Sequence, residues 1–380
     1  RCAIGCRSLG ATVVDMTVLA RYVAQRNQSL ISVTAGPRNN ASHGPARLSV
    51  SAARRVRGIA RESSAWAQQT MEAAPSGRSC VRRFTYVSRS GARAHTGPSP
   101  SVARMPIDRL TPEIFAAEYR SQGRPLIIEG ALPTSADAWS LEHVREQLGV
   151  DPFTCRIHGA DGYSTSPDRW AGRSHARRAV LTTARQFADT IAAGSAAAED
   201  CYVQADIRHT PAGRALAPVL QRVADATGLC EHAKHGPVVN MWWGPCGHVE
   251  PVHMDVTDGT LCQLRGRKHV VLFPPKSWAD LYPFAPSARG MSWAFSQVAL
   301  GAPDLARFPR VRDALAHRIE LVLEPGDVLY IPACAAHEIA GGLGTDHVLS
   351  VNRFWHTPAE RVLPHLPADA KVAYASSDWQ

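Results

Sequence analysis

Three short runs decide the fold: Pro251-Val252-His253-Met254-Asp255, Thr260-Leu261-Cys262-Gln263-Leu264 and His269-Val270-Val271-Leu272-Phe273. Each is too short for a stable helix and is rich in apolar and β-branched residues, so each reads as a strand. Working outward, five further runs share this character: Val238–Trp243, Ile319–Leu323, Asp327–Ile331, His337–Ile339 and His347–Phe354. Gly and Pro punctuate the series at Gly244-Pro245, Gly266, Pro274-Pro275, Pro325-Gly326 and Gly341-Gly342. Eight short strands separated by such breakers predict a mainly β domain with flanking helices, folded as a double-stranded β-helix, or jelly roll. Residues 276–318 interrupt the series with a longer, partly helical insert.

Upstream, helical signals dominate. Thr111-Pro112-Glu113 places a capping residue before a proline and predicts a helix to about Ser121. Arg124–Gly130 reads as a strand, Ser140–Leu148 as a helix closed by Gly149, Cys201–Gln204 as a short strand and Leu216–Leu229 as a helix. The first 104 residues differ in kind. They hold 16 Arg, no Lys and three acids, Asp15, Glu62 and Glu72. We expect residues 1–104 to be a basic, disordered extension, with an organellar transit peptide or a gene-model artefact as the open alternatives. The domain proper is expected over 105–360, with Met105 as a candidate start, and residues 361–380 as a short tail.

The net charge of +9 therefore belongs to the extension, and the remainder is mildly acidic. That excludes reading the body as a nucleic-acid binder on charge alone. No run approaches the roughly 20 apolar residues that cross a bilayer. Nine cysteines, odd in number and without a C-x-x-C, argue against a disulfide framework and for a reducing compartment, cytoplasmic or nuclear, or organellar if the extension is a true transit peptide. Cys201, Cys262 and Cys334 read as buried thiols. The sequons at Asn27 and Asn40 carry no weight without a secretory signal.

His253 and Asp255 stand at i and i+2, so on a strand their side chains share a face and can share one ion. A lone H-x-D arises easily by chance. His337 follows on another predicted strand, just after the turn-and-strand sequence Glu324-Pro325-Gly326-Asp327-Val328-Leu329-Tyr330-Ile331-Pro332. Two His and one carboxylate on one side of an iron leave open positions for a chelating acid and dioxygen. A zinc or manganese cupin isomerase is an alternative, for which His248, read as a loop residue, is the nearest extra ligand.

These residues, with Gln263–Pro275 and Val351-Asn352-Arg353-Phe354-Trp355, resemble the JmjC-type hydroxylases of the cupin superfamily over roughly residues 108–357. Within that family the nearest branches are those that hydroxylate an asparaginyl side chain of a protein or the wybutosine base of tRNA, and Asp255-Val256-Thr257-Asp258 and Ala302-Pro303-Asp304-Leu305-Ala306-Arg307-Phe308-Pro309 lean toward the second. The resemblance implies Fe(II) on His253, Asp255 and His337, with 2-oxoglutarate as co-substrate and O2 as oxidant. It places Lys268 on the distal carboxylate of the oxo-acid, Tyr202 beside it and Asn352 near its other end. It implies a protein or tRNA substrate, no membrane, and a monomer or weak dimer. A catalytically inactive binding module and a histone or protein lysine demethylase are the alternatives. Four positions depart from the family: Gly259 where Asn is usual, Glu250 where Thr is found, and Ala335 and Ala336 where aromatics precede the second histidine. Glu250 is expected either to repel the oxo-acid or to pair with Lys268.

Overall fold

The computed structural model describes residues 101–133, 138–159, 178–232, 236–286, 292–342 and 345–375. The sequons, the Arg54-Arg55-Val56-Arg57 run and nearly all of the basic extension lie outside the described residues. In chain order the strands are β1 Ala103–Pro106, β2 Leu126–Glu129, β3 Phe153–Ile157, β4 Arg178–Thr182, β5 Cys201–Asp206, β6 Val238–Gly244 and β7 Val249–His253. They continue as β8 Asp258–Arg265, β9 Lys268–Phe273, β10 Ile319–Leu323, β11 Val328–Ile331, β12 Ala336–Gly341 and β13 Val348–Trp355. They form a nine-stranded sheet, ordered β1-β2-β11-β8-β13-β6-β5-β3-β4, and a four-stranded sheet, ordered β10-β9-β12-β7. From β6 to β13 successive strands alternate between the two sheets, except that β9 and β10 pair side by side in the small one, which gives the expected jelly roll.

The period-2 alternation of side chains sorts the apolar residues into three layers. On β11, Val328 and Tyr330 point to a core on the outer face of the large sheet, while Leu329 and Ile331 point to one between the sheets. On β9, Val270 and Leu272 join the inter-sheet core, and Val271 and Phe273 join a third core outside the small sheet. The long helix Pro211–Thr227 covers the large sheet with Leu216, Leu220 and Val223. Its start is fixed by Thr210, whose side chain accepts from the Gly213 amide at 3.1 Å, and its end by Gly228 in the left-handed region. The insert and the helix Ala368–Ala375 cover the small sheet, burying Trp278, Trp293 and Tyr374.

All eight runs downstream of Pro237 are strands, Ile319–Leu323 with the expected bounds and the others with shifted ends. The Pro325-Gly326 turn is the one the sequence requires: the Asp327 amide donates to the Glu324 carbonyl at 3.0 Å, and Gly326 takes a φ of 101°. Three differences have physical causes. The helix expected from Leu216 begins at Pro211, because Thr210-Pro211 caps it and Pro218 is accommodated inside. β7 spans Val249–His253, so Asp255 lies beyond the strand and not on it. β1 straddles the expected boundary at 104/105, pairing parallel with β2, and Arg104 forms ion pairs with Glu129 at 2.6 Å and with Asp327. Cys201, Cys262 and Cys334 are buried free thiols, as is Cys155. Among the described residues no helix is long and apolar enough to cross a membrane.

Candidate metal and oxo-acid site

Antiparallel β7 and β12 bring the distant histidines together. His337 lies opposite His253, their ring centroids 4.3 Å apart. Asp255, past the strand end, is fixed by backbone bonds: the Met254 amide donates to the Ala294 carbonyl at 2.9 Å, and the Cys334 amide to the Asp255 carbonyl at 2.7 Å. One ligating atom from each of His253, Asp255 and His337 lies within 4.8 Å of the others, and His337 Nε2 stands 3.7 Å from Asp255 Oδ2. His253 Nδ1 is 2.7 Å from the Pro251 carbonyl and His337 Nδ1 is 3.0 Å from that of Ala335. A carbonyl only accepts, so each Nδ1 carries the proton and each Nε2 keeps its lone pair for a metal. Burial and the neighbouring His253 push the His337 pKa down to about 3, which keeps that imidazole neutral. Two imidazole nitrogens and one carboxylate on one side of an open cavity are a donor set that fits a divalent iron with coordination positions left open.

Register explains how Glu250 and His253 both reach this cavity. Residues three apart on a regular strand face opposite ways. Here Ile339 lies opposite Glu250 and His337 opposite His253, so three steps on β7 match two on β12. This bulge turns both side chains the same way.

The cavity has a volume of about 220 Å³ and is lined by all three candidate ligands and by Tyr202, Lys268 and Asn352. Lys268, 3% exposed, starts β9. Its Nζ is 3.3 Å from the Tyr202 hydroxyl and also donates to Ser350 Oγ. Burial pulls its pKa down to about 7, partly countered by Glu250. The Tyr202 ring is stacked on His248 at 3.7 Å, and a Cβ at Gly244 would fall 2.5 Å from the Tyr202 ring, so only glycine leaves it room. Asn352 Oδ1 accepts from Trp242 Nε1 at 2.9 Å, which commits the oxygen and orients the amide nitrogen. Ser350, unpredicted, could have been found: it stands two residues before Asn352 on β13 and so shares its face.

Glu250 does not pair with Lys268. Its carboxylate takes a forked contact from Arg156 on β3, Nη2 to Oε2 at 2.9 Å and Nη1 to Oε1 at 3.4 Å, with His248 Nε2 3.6 Å away. Burial works against this carboxylate, but Arg156 and His248 outweigh it and hold its pKa well below the ordinary range. No motif marks Arg156; only the β3–β5 pairing, which sets it opposite Tyr202, brings it here.

Two further groups support the site. Asp258, fully buried, accepts from the Tyr330 hydroxyl at 2.8 Å, the Ala333 amide at 3.1 Å and Arg120 Nε at 2.9 Å. It thereby ties down the turn that precedes His337. His248 is a loop residue, as read, but it does not supply a fourth ligand beside His253. It joins Asp200 and His158 in a separate buried cluster, with His248 Nδ1 3.0 Å from Asp200 Oδ1.

Comparison with known proteins agrees with this architecture. The family described as "Cupin-like domain" matches residues 111–361. "Lysine-specific demethylase 8" of Danio rerio is 28% identical over 242 residues, covering 62% of this chain and 54% of that protein. "tRNA wybutosine-synthesizing protein 5" of Danio rerio is 34% identical over 126 residues, 33% of each chain. "tRNA wybutosine-synthesizing protein 4" of Neurospora crassa is 27% identical over 277 residues, 70% of this chain but 21% of its own length. The chain thus spans about half, or less, of the length of these relatives.

Proposed function

We propose, for a chain that belongs to the cupin-like family of JmjC-type domains, an Fe(II)- and 2-oxoglutarate-dependent oxygenase that hydroxylates a protein side chain or a modified tRNA base. The observation that carries this reading is a pair of Nε2 lone pairs and one carboxylate, from His253, His337 and Asp255, facing a cavity whose wall holds the buried Lys268 ammonium. Bound Fe(II), with 2-oxoglutarate and O2, would supply the oxidising power, releasing succinate and carbon dioxide.

The chain's own residues do the positioning. Lys268, with Tyr202 and Ser350 around it, offers one cation and two hydroxyls to a distal carboxylate, which would be costly to desolvate unpaired. Asn352 offers its amide nitrogen to the cavity once Trp242 has taken its oxygen. Leu261, Ile331, Ile339, Phe295 and Phe354 give the cavity apolar walls that exclude water. The volume of about 220 Å³ suits a small dicarboxylic acid better than a nucleotide cofactor.

A second reading, lysine demethylation, is favoured by the share of the Danio rerio demethylase that the match covers, 54% against 33% and 21% for the two wybutosine-synthesizing proteins. It needs the same iron and oxo-acid groups and differs only in the carbon that is oxidised.

Succinate formation from 2-oxoglutarate should be measured under air with Fe(II), beside calorimetry of 2-oxoglutarate binding with Mn(II). We expect saturable binding and slow uncoupled turnover, with turnover lost in His253→Ala. Binding without turnover would mark a binding module; no binding at all would sink the reading.

A further inference from the structure

We propose that Arg156 is a positioning residue for the oxo-acid: by holding Glu250, it keeps that carboxylate off Lys268 and so leaves the ammonium free for the distal carboxylate of the co-substrate. The inference rests on the oxygenase reading of this cavity and deepens it. Glu250 lines the same cavity as Lys268 and is 8% exposed, so an unpaired charge there would be only weakly screened by water. A free Glu250 carboxylate would act twice against an incoming dianion, repelling it and competing for its cation.

Arg156 answers both effects. Its fork meets both Glu250 oxygens, the geometry in which a guanidinium holds a carboxylate most firmly. The guanidinium lies 5.7 Å from the centroids of Tyr202 and Trp242, so the aromatic groups that flank the oxo-acid residues also fix its place. β3 aims it there. Phe153, Cys155 and Ile157 alternate into the outer core, which leaves Arg156 on the cavity face. Lys268 in turn contacts Tyr202 and Ser350, both neutral hydroxyls that an acid can join without displacing a salt bridge.

The test is calorimetry of 2-oxoglutarate against Mn(II)-loaded wild type, Arg156→Met, Glu250→Gln and the double variant, with Mn(II) affinity and thermal melts recorded for each. Arg156→Met should weaken 2-oxoglutarate roughly 30-fold or more, the size expected when one partner of a buried charge pair is removed. Glu250→Gln should bind at least as tightly as wild type, and the double variant should recover to within about threefold of it. Recovery in the double variant is what a purely structural role for Arg156 would not produce. Wild-type-like binding by Arg156→Met, or a double variant as weak as Arg156→Met, overturns the inference while leaving the oxygenase reading in place. Absence of saturable binding by wild type overturns both.

Discussion

Lys268 concentrates the electrostatic argument into one side chain. With its pKa pulled down to about 7, it is mostly neutral at pH 8 in the empty cavity. A bound carboxylate favours the ammonium, so binding at pH 8 should take up about one proton per molecule of acid, and less below pH 7. Titrations in buffers of different ionisation enthalpy would read this directly; equal apparent enthalpies would contradict it. The sign for folding is the reverse of the usual salt-bridged lysine. The unfolded chain binds more protons between pH 7 and the ordinary lysine range, so this residue makes the empty protein more stable as pH rises through that window. Gly244 gives a steric counterpart. Gly244→Ala should displace the Tyr202 ring and weaken 2-oxoglutarate binding with little change in Mn(II) affinity. Gly259 behaves differently, since the atoms nearest a Cβ there are the Phe354 ring at 3.8 Å and the Ile331 carbonyl at 3.9 Å, ordinary van der Waals contact. Asn is therefore accommodated at 259, and calorimetry should show Gly259→Asn binding the oxo-acid at least as well as wild type.

At the scale of elements, the site depends on a turn as much as on strands. Residues 332–335 deliver His337, and Cys334 there takes a φ of 64°, a conformation that a non-glycine residue holds only when neighbours fix it. Asp258 supplies that fixing through Tyr330, Ala333 and Arg120. Asp258→Ala should cost about 3–5 kcal/mol of stability, as removal of one partner from a buried charge pair does, with Mn(II) affinity falling as the turn loosens; urea unfolding and metal titration would show both. The strands of the jelly roll were legible because each obeys a local rule: a short run rich in apolar residues, with Gly or Pro between several of them. The three candidate ligands were legible because two stand at i and i+2 and the third follows a recognisable turn. Arg156, Ser350 and Asp258 were less so, because their roles come from pairing across the sheet. β3 and β4 escaped notice for the same reason. Phe153, Cys155 and Ile157 alternate clearly, but Thr154 and Arg156 between them resemble any polar surface. Asp255 reached the site by a different route from the one expected, held by loop backbone and not by strand alternation.

At the scale of the whole molecule, three apolar layers among the described residues divide the labour. The inter-sheet layer borders the cavity, and the two outer layers hold the sheets that frame it. We propose that the functional unit begins with β1, since Arg104 ties that strand to Glu129 and to Asp327 at the β10–β11 turn. A chain starting at residue 101 should bind 2-oxoglutarate as the full chain does. One starting at residue 107 should lose about 1–3 kcal/mol, read by urea unfolding, as β2 becomes an unprotected edge. The helix Ala368–Ala375 acts at the other end, burying Tyr374 against the small sheet, so the expected short tail is in part a structural cover.

The irregular pairing of β7 with β12 carries a lesson about counting. Were that stretch one residue shorter, odd and even positions would trade places, and the acid upstream of His253 would swing out of the chamber while the histidine stayed. Charge near the co-substrate is thus governed by an insertion or deletion as readily as by a substitution. In a sibling chain with an evenly matched ladder, the side chain to examine would sit two or four places before the first histidine, not three.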